Sequence, residues 1–446
     1  VDGERVEPLR VVVGDRLVDP AAVAHESGWW FLQDHLVVRS DRMLQPGAHD
    51  VAASFRLRIP YLQAGPDGPL TLPFVVERAL DPDAAPAGRG ARRASRDPDE
   101  ARIRDAAPAD SAPGGLPATW TLAASAFNWT PDVIRAERAA PDIALGIVTD
   151  GIAPVIELEP GQLWRSFPEP ADDEVDALRR ELDRAGGSVS IVGASLDDWT
   201  GPAERREDDA RLAFLLPQLR AAHRVGASGV RLPIGQAGEP LLRRLLPALH
   251  ELDLILYEEI QGQQTPGSPG TAAAIEAISG LDDPRIRVLV DISMLMPALP
   301  VTYLDELARA GIPQDLLARL TDEWRDPATT GGIVEYLRSG GVPPEIHALY
   351  MNLLVRFGRS RATELRDILP LVGAFHLKFW DLDDTDGRVS APIRDLGAEL
   401  AGADFAGTLC SEWGGHEWLA DADAADMTRR HLALARRALA HGASAT

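Results

Sequence analysis

Four short apolar segments in the second half of the chain each carry a side chain that could bind a metal ion. The segments are "LILYEEI" (254–260), "RVLVDISM" (287–294), "AFHLKFW" (374–380) and "GTLCSEW" (407–413). The side chains in question are Glu259, Asp291, His376 and Glu412. Three carboxylates gathered around one imidazole would repel one another unless a cation lay among them. Such a set suits Mn, Mg or Zn and leaves positions open for substrate oxygens, so the sequence indicates metal-assisted chemistry.

The elements that would position these residues alternate along residues 118–446. Four further strand-like runs precede the four segments, at 120–127, 154–159, 189–196 and 229–235. Helix-length amphipathic stretches separate the strands, and eight such repeats predict a (β/α)8 barrel, an α/β fold whose active site gathers at the C-terminal strand ends. A doubly wound sheet is the alternative, although its glycine-rich phosphate loop is absent after the first strand. A helical insertion at 303–370 would lie over the mouth of the barrel.

Strand alternation indicates that the polar side chains point the same way. In the seventh strand His376 and Lys378 share one face, while bulky apolar residues that should contact the helix layer take the other. The same reasoning selects Glu259 over Glu258 in the fifth strand and turns Asp291 inward in the sixth. The eighth strand gives no such contrast. The alternative is a set of separate salt-bridged or capping residues on a barrel rim.

Residues 1–85 predict a small antiparallel β-sandwich. The run "VAASFRLRIPY" (51–61) alternates apolar and polar residues, and "WWFLQDHLVVRS" (29–40) is a second strand-rich run. Residues 86–117 are rich in Ala, Pro, Asp, Arg and Gly and contain few bulky apolar residues. Such a segment buries too little surface to offset its ordering entropy, so we expect a mobile linker there. The chain is therefore expected to divide into 1–85, 86–117 and a catalytic barrel at 118–446.

Composition excludes several classes of function. A net charge of -23 argues against binding to nucleic acid, which needs a basic surface, and fits a site that attracts cations. Cys410 is the sole cysteine, so no intramolecular disulfide can form, and no apolar run approaches the length of a membrane span. The first residues form neither a signal peptide nor a Met start. We expect a cytoplasmic protein whose chain begins part-way into a domain and which could form a homo-oligomer.

The four-residue set resembles the metal site of the xylose-isomerase-like sugar isomerase/epimerase barrels, in which Glu, Asp, His and Glu from late strands hold the metal. The segments "FHLKFWDLDD", "PIRDL" and "ADFAGTLCSEWGGH" within 375–416 more closely resemble the catalytic α subunit of bacterial C-glycoside deglycosidases. The first 85 residues separately resemble the small β subunit of these enzymes, through "VDGERV", a tryptophan-rich run near 29–31, "LQPGAHDV" and "RLRIPY" in that order. The two resemblances together suggest a fusion of the subunits.

The resemblance implies a divalent-metal enzyme, usually with Mn, that acts on small 3-oxo-glucosides supplied by a partner oxidoreductase. Such enzymes cleave the C–C bond between the anomeric carbon and an aromatic aglycone. The 3-ketone acidifies the proton at C2, and a metal that polarises the ketone oxygen lets a base form an enediolate. Elimination at C1 then expels the aglycone.

One position departs from the deglycosidase pattern. In that family the metal-binding glutamate of strand five is followed two residues later by a histidine, a candidate acid or base, and this chain has Gln261 there. An amide does not transfer protons in the pH range that a catalytic base needs. Gln261 is therefore expected to bind substrate, and either another group has taken over the proton transfer or the substrate or reaction differs.

Two histidines are candidates for the missing acid or base. His416 follows strand eight in "SEWGGHEW", and His347 lies in the insertion over the mouth. Loop histidines of this kind are otherwise solvated bystanders. Lys378, the only lysine in the chain, is predicted to hydrogen-bond a substrate hydroxyl or the developing enediolate. The alternative for Lys378 is a charge that balances the acidic cluster, a role that arginine would serve equally well.

Two further residues are predicted to bind substrate. Arg231, at the end of strand four, could contact a substrate oxygen or form a structural ion pair. Trp380 could stack on an aglycone or serve in packing. The predicted function is a metal-dependent lyase acting on oxidised glycosides. A sugar isomerase or epimerase with the same metal site, and a non-catalytic sugar-binding protein that lost its acid/base at position 261, are the alternatives.

Overall fold

A computed structural model of the chain describes residues 1–26, 30–63, 68–83, 115–201 and 203–445. The chain forms two compact units, Val1–Ser111 with Asp197–Arg211 and Ala112–Leu196 with Leu212–Thr446. Most of the linker predicted at 86–117 lies outside the described residues. Every helix in the described part of the chain falls short of the length or the apolar character that a membrane span requires.

The first unit contains two antiparallel sheets, as the alternating sequence predicts. Their strands are β1 (Leu9–Val13), β2 (Arg16–Val18), β3 (Val38–Ser40), β4 (His49–Gln63) and β5 (Pro69–Leu80). The first three pair in the order β2-β1-β3, and β4 pairs with β5 in a hairpin. The strand predicted over 29–40 is wrong for most of that run, because the backbone turns where the Asp34 N–H donates to the Phe31 carbonyl. Trp29 lies outside the described residues.

The second unit is built on a closed barrel of eight parallel strands. These are β6 (Trp120–Ser125), β7 (Val155–Leu158), β8 (Ser188–Gly193), β9 (Gly229–Pro233), β10 (Ile255–Ile260), β11 (Ile286–Asp291), β12 (Val372–Phe379) and β13 (Gly407–Trp413). They pair in chain order, and β13 closes the barrel against β6. Each strand begins within two residues of its predicted run and ends within three. The (β/α)8 prediction is confirmed.

Helices separate the strands and fill the insertion before β12. They are α1 (Thr130–Arg135), α2 (Ala140–Thr149), α3 (Pro160–Leu163), α4 (Asp172–Ala185), α5 (Asp208–Val225), α6 (Gly238–Glu251), α7 (Pro269–Leu281), α8 (Val301–Arg309), α9 (Gln314–Asp322), α10 (Pro327–Arg338), α11 (His347–Val355), α12 (Ser390–Gly402) and α13 (Ala424–Ser444). Short 3-10 turns span Pro20–His25, Ala126–Trp129, Ile292–Leu295, Pro344–Ile346, Ala362–Leu365, Leu369–Leu371, Thr385–Gly387 and Gly415–Glu417. Helices α8 to α11 form the predicted insertion.

The barrel interior is filled in layers, as in other eight-stranded barrels. Ile191, Tyr257, Leu289 and Ala374 form a buried apolar cluster inside it. Two residues further along β10, β11 and β12 the inward side chains become polar. Because strand residues two apart share a face, this apolar layer is the floor on which the polar layer rests.

Candidate metal centre

Strand register brings the four predicted metal ligands to one level of the barrel. On β11 and β12, Asp291 pairs with His376, and on β12 and β13, Lys378 pairs with Glu412. Glu259 occupies the corresponding end of β10, two residues after Tyr257 of the apolar floor. Alternation turns all of these side chains inward, so four separate strands deliver polar groups to a common point.

The four side chains are close enough to bind one ion. One nitrogen or oxygen atom from each of Glu259, Asp291, His376 and Glu412 lies within 4.8 Å of the others. Nδ1 of His376 is 2.8 Å from Oε1 of Glu259 and 3.0 Å from Oε2 of Glu412. All four residues are buried, with 0–4% of their surfaces exposed. The structure therefore brings the whole predicted set together.

Two charged residues from the first half of the barrel contact this set, and a third pairs with one of those two. Oε2 of Glu157, on β7, lies 2.9 Å from Nε2 of His376. Arg231, on β9, donates to Oε2 of Glu259 at 3.1 Å and also pairs with Glu159, which follows β7. His376 and Glu259 are therefore each held in place by a residue outside the four-residue set.

The buried charges shift one another's pKa values. Burial disfavours the ionised form of Glu412, yet His376 and Lys378 together hold its pKa well below the usual range. Burial also disfavours the charged imidazole, but Glu412, Glu157 and Glu259 outweigh it and raise the pKa of His376 well above its ordinary value. Asp291 has fewer compensating partners, so burial raises its pKa to about 6. Carboxylates at one site thus differ in how firmly they stay ionised.

The donor set fits a divalent ion. Oε2 of Glu412 is buried and has no hydrogen-bond partner among the described residues, although Nδ1 of His376 and Nζ of Lys378 lie near it. Carboxylate oxygens with one imidazole nitrogen are the ligands that Mn, Mg and Zn accept, and a cation would supply the charge that three converging carboxylates lack. Glu259, Asp291, His376 and Glu412 are the residues that would hold it.

Lys378 reaches the edge of the same site. Its Nζ lies 3.3 Å from Oε2 of Glu412, and the side chain is only 9% exposed. The ammonium group sits 5.0 Å from the centre of the Phe127 ring and 5.4 Å from that of the Trp380 ring. An ammonium enclosed by two rings and one carboxylate keeps a defined position from which it can donate hydrogen bonds.

His416 packs beside this lysine on the loop after β13. Its ring centre lies 5.0 Å from that of Phe127 and 5.5 Å from that of Trp413, and Nε2 is buried without a hydrogen-bond partner in the described structure. Burial, reinforced by the Lys378 charge, lowers the pKa of His416 to about 4. The imidazole is therefore neutral at pH 7 and able to accept a proton.

The glycines before His416 are required by close packing. A Cβ on Gly414 would lie 2.2 Å from the Trp380 ring, and one on Gly415 would lie 1.7 Å from the Trp380 carbonyl oxygen. Only glycine fits at both positions. The segment "WGGH" is thus what allows the His416 loop to lie against the end of β12.

The other predicted residues lie in different surroundings. Trp380 is buried, stacked on Trp418 at 5.8 Å within the core of the insertion, with its ring also facing Lys378. The Gln261 side chain is exposed just beyond β10, and His347 is exposed at the first turn of α11. Arg231 is engaged by the carboxylates of two glutamates rather than standing free.

Sequence reasoning missed Glu157 and Glu159. Both lie in the predicted run "PVIELE" (154–159), where Ile156 and Leu158 take the outer face. The alternation argument that selected the later ligands would have turned both glutamates inward. A glycine also marks the place, because a Cβ on Gly193 would lie 2.5 Å from the Glu159 carboxylate.

Comparison with known proteins shows which curated proteins the chain resembles. No protein-family model matches the chain. It is 30% identical over 307 residues to a C-glycoside deglycosidase alpha subunit of Arthrobacter globiformis, which covers 67% of this chain and 87% of that protein. It is 26% identical over 329 residues to the 3'-dehydrocarminate deglycosidase alpha subunit of a Microbacterium species, covering 71% of this chain and 94% of the relative.

Two of the solved structures that the chain resembles are sugar epimerases. D-psicose 3-epimerase superposes with a TM-score of 0.46 at 13% identity, over 72% of this chain and 99% of the epimerase. The 3-keto-D-glucoside 4-epimerase of E. coli gives a TM-score of 0.40 at 13% identity, over 71% and 99% of the two chains. At these scores they add nothing to the assignment of the barrel, which rests on its eight hydrogen-bonded strands.

Proposed function

Because the chain belongs to the family of C-glycoside deglycosidase alpha subunits, we propose that it is a divalent-metal-dependent lyase that cleaves the C-glycosidic bond of 3-oxo-glucosides. The observation that carries this proposal is the convergence of Glu259, Asp291, His376 and Glu412 within 4.8 Å at the C-terminal ends of four strands. Active sites of such barrels lie at this end. Membership of the family alone does not identify the reacting residues, and the convergence of these four side chains supports assigning the chemistry to them.

These four residues would hold Mn²⁺ in preference to a softer metal, since they offer oxygen and imidazole ligands without a thiolate. When bound, the ion supplies a Lewis acid that polarises a substrate ketone and acidifies the adjacent C–H bond. Arg231 helps to keep Glu259 oriented and ionised, because burial raises the pKa of that carboxyl but Arg231 and His376 together lower it further. The protein thus prepares the ligands before substrate arrives.

The reaction that follows from a 3-oxo-glucoside is an elimination. A base removes the proton from C2, and the electron pair is delocalised onto the C3 oxygen as an enediolate. That pair then forms a C1=C2 double bond while the bond from C1 to the aglycone carbon breaks. The aglycone carbon takes up a proton and leaves. A general acid and a general base are therefore both needed.

His416 and Lys378 are the groups we assign to the proton transfers and the charge. The neutral imidazole of His416, with a buried and unpartnered Nε2, can accept the C2 proton and return it to the departing carbon. Lys378 donates a hydrogen bond to the developing oxyanion from its fixed position beside Glu412. In this assignment His416 takes the role that Gln261 cannot perform, and the exposed Gln261 and His347 serve at most in substrate binding.

The substrate class follows from the chemistry and from one relative. The C2 proton is acidic only if C3 carries a ketone, and the Microbacterium relative is named for a 3'-dehydro glycoside. We therefore assign an oxidised glycoside as substrate, supplied by an oxidoreductase that converts the 3-hydroxyl to a ketone. Trp380, beside Lys378, is the aromatic residue that we assign to contact with the aglycone.

We also propose that residues 1–85 replace a separate small subunit. The relatives are named as alpha subunits, and this chain adds an N-terminal unit of antiparallel sheets. In this proposal residues 86–117 link that unit to the barrel at 118–446. The expected result is that the purified chain is active without a second polypeptide.

The proposal is tested with the full chain, stripped of metal and reloaded with Mn²⁺. It is incubated with a 3-oxo-C-glucoside, the matching 3-oxo-O-glucoside and the unoxidised C-glucoside, and aglycone release is followed by chromatography. Release only from an oxidised substrate, and only with metal, is expected. Keto-sugar interconversion without aglycone release would replace the lyase with an isomerase or epimerase. Failure to bind metal would remove the basis of both activities.

A further inference from the structure

Glu157 is not one of the four candidate ligands, but it contacts His376 at Nε2, the ring nitrogen that does not face the other ligands. It is 1% exposed and projects inward from β7, which β13 and β6 separate from β12 in the closed strand order. Its Oε2 atom is 2.9 Å from Nε2 of His376, and its Oε1 atom has no hydrogen-bond partner among the described residues. A buried carboxylate whose partners are the His376 imidazole and the Cys410 thiol needs a reason to be there.

The two nitrogens of the His376 ring face different groups. Nδ1 points to Glu259 and Glu412, at 2.8 and 3.0 Å, while Nε2 points to Glu157. A metal ion among the four ligands would therefore be bound through Nδ1, which must carry no proton. The ring proton then stays on Nε2, where it is donated to Glu157. This is the arrangement in which an outer carboxylate fixes the tautomer and orientation of a metal-binding histidine.

We infer that Glu157 is a positioning residue for the metal centre, which acts through His376 by accepting the Nε2 proton. This inference rests on the proposed function, since it requires that the four residues bind a metal. It is independent of the reaction that the metal supports. Loss of an outer partner of this kind typically weakens metal binding by about 10- to 100-fold.

The test compares Glu157→Gln with Glu157→Leu in the full chain. Glutamine retains an oxygen that can accept the Nε2 proton, whereas leucine has similar bulk and no acceptor. The dissociation constant of Mn²⁺, measured by calorimetry at one pH, should rise about 10- to 100-fold in the leucine variant. Most of that loss should be recovered in the glutamine variant. Thermal unfolding of the metal-free proteins establishes that each variant is folded.

Glu258→Leu is the matched control. Glu258 is also a buried carboxylate near the site, but its Oε2 accepts from the Gly235 N–H at 2.8 Å and it does not touch His376. Its removal should leave Mn²⁺ affinity unchanged.

A second measurement needs no variant. Long-range ¹H–¹⁵N spectra of the Zn²⁺-loaded wild type should show the His376 ring protonated on Nε2, with the resonance assigned by its loss in His376→Gln. Protonation on Nδ1 in the loaded protein would overturn the inference, as would equal Mn²⁺ affinity of wild type and Glu157→Leu. An equal loss in the glutamine and leucine variants would overturn the acceptor role. If the wild type binds no Mn²⁺, the metal site itself is wrong and the proposed function falls with it.

Discussion

The two halves of the barrel wall carry the same kinds of charged residue and use them differently. Strands β10 to β13 supply the four side chains that converge on one point. Strands β7 and β9 supply Glu157 and Arg231, which contact two of those side chains from outside. Strand β9 lies directly beside β10, whereas β7 is separated from β12 by β13 and β6, so only the Glu157 contact crosses the barrel interior.

The difference shows that residue type alone does not decide a role. We call strands β6 to β9 the early wall and strands β10 to β13 the late wall. Glu259 and Glu412, on the late wall, have cationic neighbours that outweigh burial and lower the pKa of each carboxyl. Glu159, on the early side, is paired with Arg231, but burial dominates and its pKa is raised. Carboxylates that stay ionised suit metal binding, whereas those that orient a partner do not need to.

Removing a late-wall ligand should have the largest effect. Glu412→Gln keeps the volume of the side chain but removes the charge that would neutralise a divalent ion. A Lewis acid is worth several kcal/mol to the transition state, so we expect aglycone release to fall about 1,000-fold, together with loss of Mn²⁺ binding. Glu258→Gln, on the apolar side of β10, is the control that should leave both properties intact. A Glu412→Gln variant with normal activity would mean that the late wall is not the metal site.

Removing the early-wall cation should chiefly affect stability. Arg231→Met leaves Glu159 and Glu259 without their common partner, and breaking a buried ion pair costs about 3–5 kcal/mol of unfolding free energy. We expect this loss in the metal-free protein, measured by urea unfolding. Mn²⁺ should restore more stability to the variant than it adds to wild type, because the ion also compensates Glu259.

The control for Arg231→Met is Arg366→Met. Arg366 forms a two-pronged pair with Glu399 at 2.7 Å on the surface, where its side chain is 63% exposed. Exposed pairs contribute roughly 0–1 kcal/mol. Equal losses of unfolding free energy in the two variants would show that Arg231 stabilises the protein no more than an exposed arginine does.

For the late wall, the sequence predicts both the ligands and the end of the barrel at which they lie. Apolar alternation in "AFHLKFW" places His376 and Lys378 on one face, and strand succession places the ligands at one end of the barrel. The eight strands follow from periodicity, because each is a short apolar run bounded by polar residues.

The roles of the early-wall residues could not be predicted from the sequence, because they depend on contacts with side chains on other strands. Glu157 and His376 are 219 positions apart in the chain, and no local pattern links them. The strand predicted at 29–40 is wrong for most of that run for a different reason, because the run is rich in apolar residues but lacks the period-2 alternation of a strand. Alternation identifies which way a side chain points, but pairing across the interior depends on strand register and closure.

Substituting the lysine that borders the late wall should have an intermediate effect. Lys378→Arg keeps the charge, but the site is tight, because a Cβ on Gly414 would already lie 3.0 Å from Cε of Lys378. The broader guanidinium cannot occupy the space between the rings of Phe127 and Trp380 without displacing its donors. A misplacement of about 1 Å can cost about 100-fold in rate, so we expect kcat to fall about 10- to 100-fold with unchanged Mn²⁺ affinity. Full activity in this variant would mean that the only lysine in the chain serves charge balance alone.

The smallest expected effect is a pH-dependent change in stability caused by His416, which lies on the loop after β13. Its pKa in the folded protein is about 4, against an ordinary value of 6.5, because burial and the Lys378 charge disfavour the imidazolium. Between pH 6.5 and pH 4 the unfolded chain therefore binds a proton that the folded protein does not. As pH falls through this range, His416 lowers the free energy of unfolding, by an amount on the order of 1–2 kcal/mol at pH 5.

His416→Gln should remove that contribution. Both proteins share every other titration, including that of Asp291, whose raised pKa adds stability as the pH falls from 7 to 5. Over this range the change in unfolding free energy should be about 1–2 kcal/mol more favourable for the variant than for wild type in the metal-free state. Urea unfolding at the two pH values gives the difference directly. His347→Gln, at an exposed position, should follow the wild-type curve. Parallel curves for wild type and His416→Gln would mean that burial and the Lys378 charge do not lower the pKa of His416 in the folded protein.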